Sequence, residues 1–214
     1  MIRTGRRARI LVVDDDERNR RYLSALLEAE GHEPVEVGDG ATAVTQATMT
    51  VPDAILLDVM MPGMDGYEVA RRLKASLGTR SIPVIMVTAL DDRESRVKGL
   101  KAGAEDFVTK PVDRVELSAR LRNLLRMKAL NDDLMSHTLR LDEQVRKRTE
   151  QLVQSYRDTI AALTRAAAYK DEGRGAHIAR ISQFAGEIAA ALGADECFRD
   201  ILRYASPMHD IGKM

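Results

Sequence analysis

The sequence has one cysteine, Cys197, so no internal disulfide can form and a reducing compartment is expected. It has no apolar run approaching the ~20 residues that cross a bilayer; the longest stretches are Ile10 to Val13 and Val84 to Val87. It also has no charge excess, because 33 lysines and arginines face 33 aspartates and glutamates. Without a global positive field, nothing draws the chain onto nucleic acid or an anionic membrane. The expectations are therefore a cytoplasmic protein with no membrane and no nucleic-acid partner. The arginines Arg3, Arg6, Arg7 and Arg9 precede an apolar stretch too short for a signal peptide and read as a solvated leader. A further absence is regional: between about residue 124 and Gly173 there is neither glycine nor proline.

What is present is the composition of a folded protein, 44% hydrophobic and 31% charged over 214 residues, which is room for more than one unit. From residue 9 to about 126, short aliphatic runs alternate with helical patterns, the rhythm of β/α units around a parallel sheet. Strands are expected at Arg9 to Val13, Pro34 to Val37, Ala54 to Leu57, Val84 to Val87 and Phe107 to Thr109. Helices are expected at Arg18 to Glu30, Ala41 to Met49, Tyr67 to Leu77, Arg93 to Ala102 and Asp113 to Arg126. The runs ILVV, AILL and VIMV are apolar throughout, as strands buried on both faces require. The fold class is thus α/β, a five-stranded parallel doubly wound sheet over residues 1–126.

The region from about 124 reads as one long helix. Leu124, Asn131, Thr138, Val145, Leu152 and Thr159 fall on a heptad a positions, with Met127, Leu134, Leu141, Arg148, Ser155 and Ala162 on d. This impure seam suits a coiled-coil linker over 127–165 and a homodimer, or else one helix packed on its own domains. Residues 166–214 read as helices only, broken at Gly193-Ala194-Asp195.

In an open parallel sheet, ligands gather at the carboxyl ends of the strands. Those ends carry Asp14, Asp15 and Asp16, then Asp58, Thr88, and Lys110 followed by Pro111. Carboxylates from two neighbouring strands form a hard-oxygen site suited to Mg²⁺. A carboxylate can also attack phosphorus, provided the charge on the equatorial oxygens is neutralised; Mg²⁺, Lys110 and the Thr88 hydroxyl would do this. Taken singly, the features have plainer explanations: Asp14 to Asp16 could cap the next helix, Thr88 could be a strand residue, Lys110 a solvated charge and Phe107 core packing. Their conjunction at four strand ends favours a shared site.

The segments ILVVDDD, ILLDVMMPGMDG, VIMVTA and FVTKP resemble the receiver domain of bacterial two-component response regulators over about 9–126. The resemblance implies phosphorylation of Asp58 by a histidine kinase. It also implies Mg²⁺ on Asp15, Asp58 and the Met60 carbonyl, with Asp14 acting through water. Thr88 and Phe107 would be a switch pair, the threonine closing on the phosphoryl group and the ring moving inward. Further on, KDEGRGAHIARI and MHDIGKM resemble the start of the HD-GYP family of cyclic di-GMP phosphodiesterases over about 169–214. By that resemblance His177 and His209 would bind one Fe or Mn ion, Asp210 would bridge two, and Lys213 would contact substrate phosphate. Gly173 stands where many members carry a glutamate ligand, which favours a dinuclear site. The chain ends before the family's remaining ligands, so an incomplete output domain, inactive as a hydrolase, is expected. Two rivals stay open: a working phosphohydrolase needing only His177, His209 and Asp210, and a flavodoxin-like domain with unrelated phosphate chemistry.

Overall fold

The computed structural model describes residues 7–89, 93–168 and 174–208. The chain divides into two compact units, Met1–Ser136 and His137–Met214. In the first, β1 (Arg9–Val13), β2 (Glu33–Val37), β3 (Ala54–Asp58), β4 (Val84–Thr88) and β5 (Asp106–Thr109) alternate with α1 (Glu17–Ala29), α2 (Gly40–Thr50), α3 (Gly66–Ala75), α4 (Arg93–Ala102) and α5 (Arg114–Ala168). The strands form one sheet in the order β2-β1-β3-β4-β5, all pairs parallel. Strand order reverses beside β1, which sits between β2 and β3.

Alternation of side chains along each strand divides the core in two. Leu11, Val13, Ile55, Leu57, Val84 and Met86 face Ala43 and Ala47 of α2, Val69, Ala70 and Leu73 of α3, and Ala102 of α4. Ile10, Val12, Leu56, Ile85, Val87 and Val108 face Leu23 and Leu27 of α1 and Leu117 and Leu121 of α5. Every residue of β3 and β4 is buried, which explains why those segments carry no polar alternation until their final residues, Asp58 and Thr88.

Aspartates start the helices. Asp16 accepts from the Arg18 amide at 2.8 Å, Asp39 from Thr42 at 2.8 Å, Asp65 from Glu68 at 2.7 Å and Asp113 from Glu116 at 2.9 Å. α1 ends at Ala29, and Gly31 takes the left-handed conformation at φ +84° that favours glycine. α3 ends at Ala75, two residues short of the Leu77 expected. Ser76 turns extended, and the Thr79 hydroxyl donates to the Leu73 carbonyl at 2.7 Å.

The fifth helix expected to Arg126 and the long helix expected from about 124 are one element, the 55-residue α5. It has no break at residues 126 or 165, and the two compact units meet within it, between Ser136 and His137. In the second unit α6 (Arg174–Ala191) packs on α7 (Glu196–Ala205), which is followed by a 3-10 turn, Ser206–Met208. Gly193, at φ +77°, makes the break between them, and Asp195 caps α7 by accepting from Phe198 N at 2.8 Å. The Arg157 guanidinium lies 4.7 Å from the centre of the Tyr204 ring and 3.6 Å from Asp200. Among the described residues no helix is long and apolar enough to cross a membrane.

Candidate functional site

The carboxyl ends of β1, β3, β4 and β5 converge, as register requires: Asp58 pairs with Val87, and Thr88 with Thr109. One carboxylate oxygen from each of Asp14, Asp15 and Asp58 lies within 4.8 Å of the others, and these three are the one such acidic group among the described residues. Lys110 Nζ reaches across from the end of β5 to donate to Asp14 Oδ2 at 2.7 Å and Asp58 Oδ2 at 2.9 Å. Lys110 is held in turn by its own amide, which donates to the Thr88 carbonyl at 2.9 Å. The Lys110–Pro111 peptide bond is cis.

The three consecutive aspartates divide their work. Asp16 caps α1 and stays outside the cluster. Asp14, 1% exposed, is saturated by protein donors: its Oδ1 accepts from Asp16 N at 2.9 Å and Asn19 Nδ2 at 3.2 Å, while its Oδ2 takes Lys110. Asp15 is exposed, and no hydrogen bond or ion pair reaches its carboxylate among the described residues. A hard cation would therefore find direct ligands in Asp15 and Asp58, with Asp14 better placed to act through an intervening water. The donor set fits Mg²⁺, being all oxygen and drawn from two adjacent strands.

Burial pushes the Asp58 carboxyl above the ordinary carboxylate range, and the neighbouring Asp14 charge adds to this; hydrogen bonding and charge from Lys110 oppose it without cancelling it. For Lys110, burial pulls the ammonium down, but the hydrogen bonds to Asp14 and Asp58 outweigh it and the net shift is upward. The pocket thus holds two buried carboxylates against one ammonium, a local excess of negative charge that a divalent cation would relieve.

Two glycines shape the loop after Asp58, for different reasons. Gly63 adopts φ +80°. Gly66 allows close approach: its amide donates to Val59 O at 3.0 Å, and a Cβ there would lie 2.2 Å from the Asp58 carbonyl oxygen. Gly66→Ala is expected to push the β3–α3 loop away from the pocket, costing about 1–3 kcal/mol of stability in urea melts.

Thr88 is 3% exposed at the end of β4. Phe107 is 7% exposed, with its ring against α4 where Gly99 leaves room; a Cβ on Gly99 would lie 2.5 Å from the ring. Met60 donates its amide toward Asp58 Oδ1 at 3.3 Å, and its side chain is exposed. His177 falls in α6, whereas His209, Asp210 and Lys213 lie outside the described residues. Sequence reasoning missed Asn19 and Arg20, both on α1: Asn19 as a donor to Asp14, and Arg20 as a donor to the Asp14 and Asp15 carbonyls at 2.8 and 3.1 Å.

Such a sheet and such an acidic pocket define a receiver domain, and the family model "Response regulator receiver domain" matches residues 10–122. The chain belongs to that family. It is 56% identical over 127 residues to "Response regulator PleD" of Caulobacter vibrioides, covering 59% of this chain and 28% of that protein. It is 35% identical over 207 residues to "Cyclic di-GMP phosphodiesterase response regulator RpfG" of Xanthomonas campestris pv. campestris, covering 96% of this chain and 55% of that protein. The chain thus spans about half the length, or less, of these curated relatives. Among solved structures, the receiver domain of a sensor histidine kinase from Pseudomonas aeruginosa PAO1, with a magnesium ion coordinated in its active-site cleft, superposes with a TM-score of 0.53. It is 34% identical and covers 56% of this chain and 98% of its own.

Proposed function

We propose that this response regulator takes a phosphoryl group on Asp58 from a phosphohistidine of a histidine kinase. The observation that carries this reading is the Lys110 ammonium set between Asp14 and Asp58, with the unengaged Asp15 carboxylate in the same cluster. An Asp58 oxygen attacks phosphorus, the N–P bond to the imidazole breaks, and an acyl phosphate forms. Little proton transfer is needed; the requirement is neutralisation of charge on the three equatorial oxygens. Lys110 supplies one positive charge and the Thr88 hydroxyl one hydrogen bond. Mg²⁺, held by Asp15, Asp58 and the Met60 carbonyl with Asp14 acting through water, supplies the remaining charge stabilisation. Acetyl phosphate should therefore add the mass of one phosphoryl group in Mg²⁺ buffer and none after chelation; equal modification in both would contradict the assignment of the acidic cluster.

Phosphorylation brings charge into a pocket walled by Thr88, and the buried Phe107 links that pocket to α4. Thr88 and Phe107 form the switch pair, and α5 carries the change onward. Met127, Leu134, Leu141, Val145 and Leu152 share the heptad seam and are exposed in the single chain, which supports pairing of two chains along α5 as a homodimer. Light scattering checks that pairing. Phosphotransfer from a kinase supports a cytoplasmic location.

The similarity to RpfG over nearly the whole chain, together with the helices that make up the described residues of the second unit, supports relay to an output of HD-GYP type. In that reading His177, His209 and Asp210 serve as Fe or Mn ligands and Lys213 as a phosphate contact. In the first reading this chain acts as the phosphorylation switch and dimerisation module. The second reading, a working hydrolase on those residues alone, rests on the same similarity. Robust turnover of cyclic di-GMP with Mn²⁺ or Fe²⁺ would establish it against the first.

A further inference from the structure

We propose that Arg20 is a positioning residue for the divalent-cation pocket, fixing the direction of the Asp15 carboxylate by clamping the backbone on which it stands; this rests on the Mg²⁺ reading given above. Arg20 Nη1 donates to the carbonyls of both Asp14 and Asp15, at 2.8 and 3.1 Å, so one guanidinium bridges two successive peptide units. Its Nε faces Glu36 Oε2 of β2 at 3.7 Å, with only 17% of the arginine side chain exposed. Gly38, just past β2, lies beside the guanidinium, where a Cβ would make ordinary van der Waals contact with Nη1 at 3.4 Å. One cation thereby ties the turn after β1 to β2.

The clamp has a specific object. Asp14 is oriented by Asp16 N, Asn19 and Lys110, and Asp58 by Lys110 and Met60 N. Among the described residues Asp15 has no such partner, so the backbone beneath it decides where its carboxylate points. Groups that orient a metal ligand without touching the metal typically change affinity by about 10- to 100-fold when removed.

A bystander charge would act in the opposite direction. A guanidinium at a separation on the order of 7 Å from a divalent cation repels it, and in water-like dielectric screened by physiological salt this weakens binding by about two- to threefold. If Arg20 contributed only its charge, removing it would tighten Mg²⁺ binding. If it positions Asp15, the loss of orientation exceeds the relief of repulsion and removal weakens binding. Lysine keeps the charge but has one nitrogen, where the planar guanidinium presents Nη1 to the two carbonyls and Nε to Glu36 at once.

The test is Mg²⁺ titration by calorimetry on the full chain, at a temperature below each variant's melting midpoint, for wild type, Arg20→Gln, Arg20→Lys, Glu36→Gln and Asp15→Asn. Arg20→Gln is expected to bind about threefold to tenfold more weakly and Arg20→Lys about tenfold more weakly. Glu36→Gln, a change at an exposed edge-strand position that keeps the fold, releases the far end of the clamp and is expected to weaken binding by about threefold. Autophosphorylation by acetyl phosphate should show the Mg²⁺ requirement of the Arg20 variants rising while the rate at saturating Mg²⁺ stays near wild type. Tighter binding in Arg20→Gln, or wild-type affinity in Arg20→Lys, overturns the inference while leaving the Mg²⁺ site standing. Absence of Mg²⁺ binding in wild type, or full binding in Asp15→Asn, overturns the site assignment and the inference with it.

Discussion

Asp58→Asn is expected to gain no phosphoryl mass under conditions that modify wild type fully, and in metal-free buffer at neutral pH it should melt higher than wild type. The first effect follows from nucleophilicity, since an amide oxygen does not replace a carboxylate as the attacking group. The second follows from the pocket's electrostatics. Burial holds the folded Asp58 carboxyl above its unfolded value, so the folded state binds its proton more tightly. The sign of linkage is then fixed: Asp58 favours the folded state below the ordinary carboxylate range, and that contribution is lost as pH rises through the folded value. At neutral pH the ionised group is a net cost, and the amide removes it while still accepting from Met60 N. The gain should be on the order of 1 kcal/mol, a few degrees in midpoint. Saturating Mg²⁺ should reverse the order, stabilising wild type through its metal site and the variant far less.

Lys110→Met should have the larger effect on stability and slow phosphorylation without abolishing it. It leaves Asp14 and Asp58 facing each other without their shared cation, both nearly inaccessible to solvent. Removing one partner of a buried pair typically costs about 3–5 kcal/mol, because the remaining charge is stranded. Acid should rescue the variant, since protonating one of the two carboxylates removes their mutual repulsion and restores the pocket's wild-type net charge, so its stability should rise as pH falls toward the carboxylate range. Wild type should instead lose the Lys110 contribution only in alkali: the ammonium is held above its ordinary value, so its stabilisation is complete below that value and disappears as pH climbs through the folded one. Phosphorylation of the variant by acetyl phosphate should slow by about 10²-fold or more, the usual loss when one electrostatic contact to the transferring group is removed. Urea melts across pH and initial rates at fixed Mg²⁺ check the two effects separately.

The sheet was legible because burial on both faces leaves strands no freedom in composition: AILL and VIMV admit only a central position between helices. What the pattern hid was where strands end. β3 and β4 each run one residue further than their apolar letters, into Asp58 and Thr88, because the last ladder position belongs to the site rather than to the core. The α3 terminus was misplaced since Leu77 continues the helical period but is exposed, while the helix closes two residues earlier, at Ala75, where a threonine hydroxyl takes the Leu73 carbonyl. Hydrophobic periodicity likewise gave no means of seeing that α5 continues unbroken through 126 and 165.

Within the site, strand-end logic pointed to Asp14, Asp15, Asp58, Thr88 and Lys110, and the fold brings these ends together. The orienting groups were hidden for a physical reason. Asn19 and Arg20 look like solvated helix residues, and only the approach of α1 to the end of β1 turns them toward Asp14 and Asp15. A rule based on the residue types at strand ends does not reach groups that act on backbone carbonyls from a neighbouring helix. Nor could sequence say which of three consecutive aspartates caps the helix and which remain in the pocket. Hydrogen bonding decides that, giving the cap to Asp16 and saturating Asp14.

That Asp58 accepts phosphorus can be read out residue by residue through peptide mapping by tandem mass spectrometry after brief treatment with acetyl phosphate and Mg²⁺. The adduct is expected on the peptide spanning β3, labile in base as an acyl phosphate is, and confined to Asp58. A base-stable adduct on a serine or threonine, or an acyl phosphate on Asp14 or Asp15 with Asp58 unmodified, would contradict it.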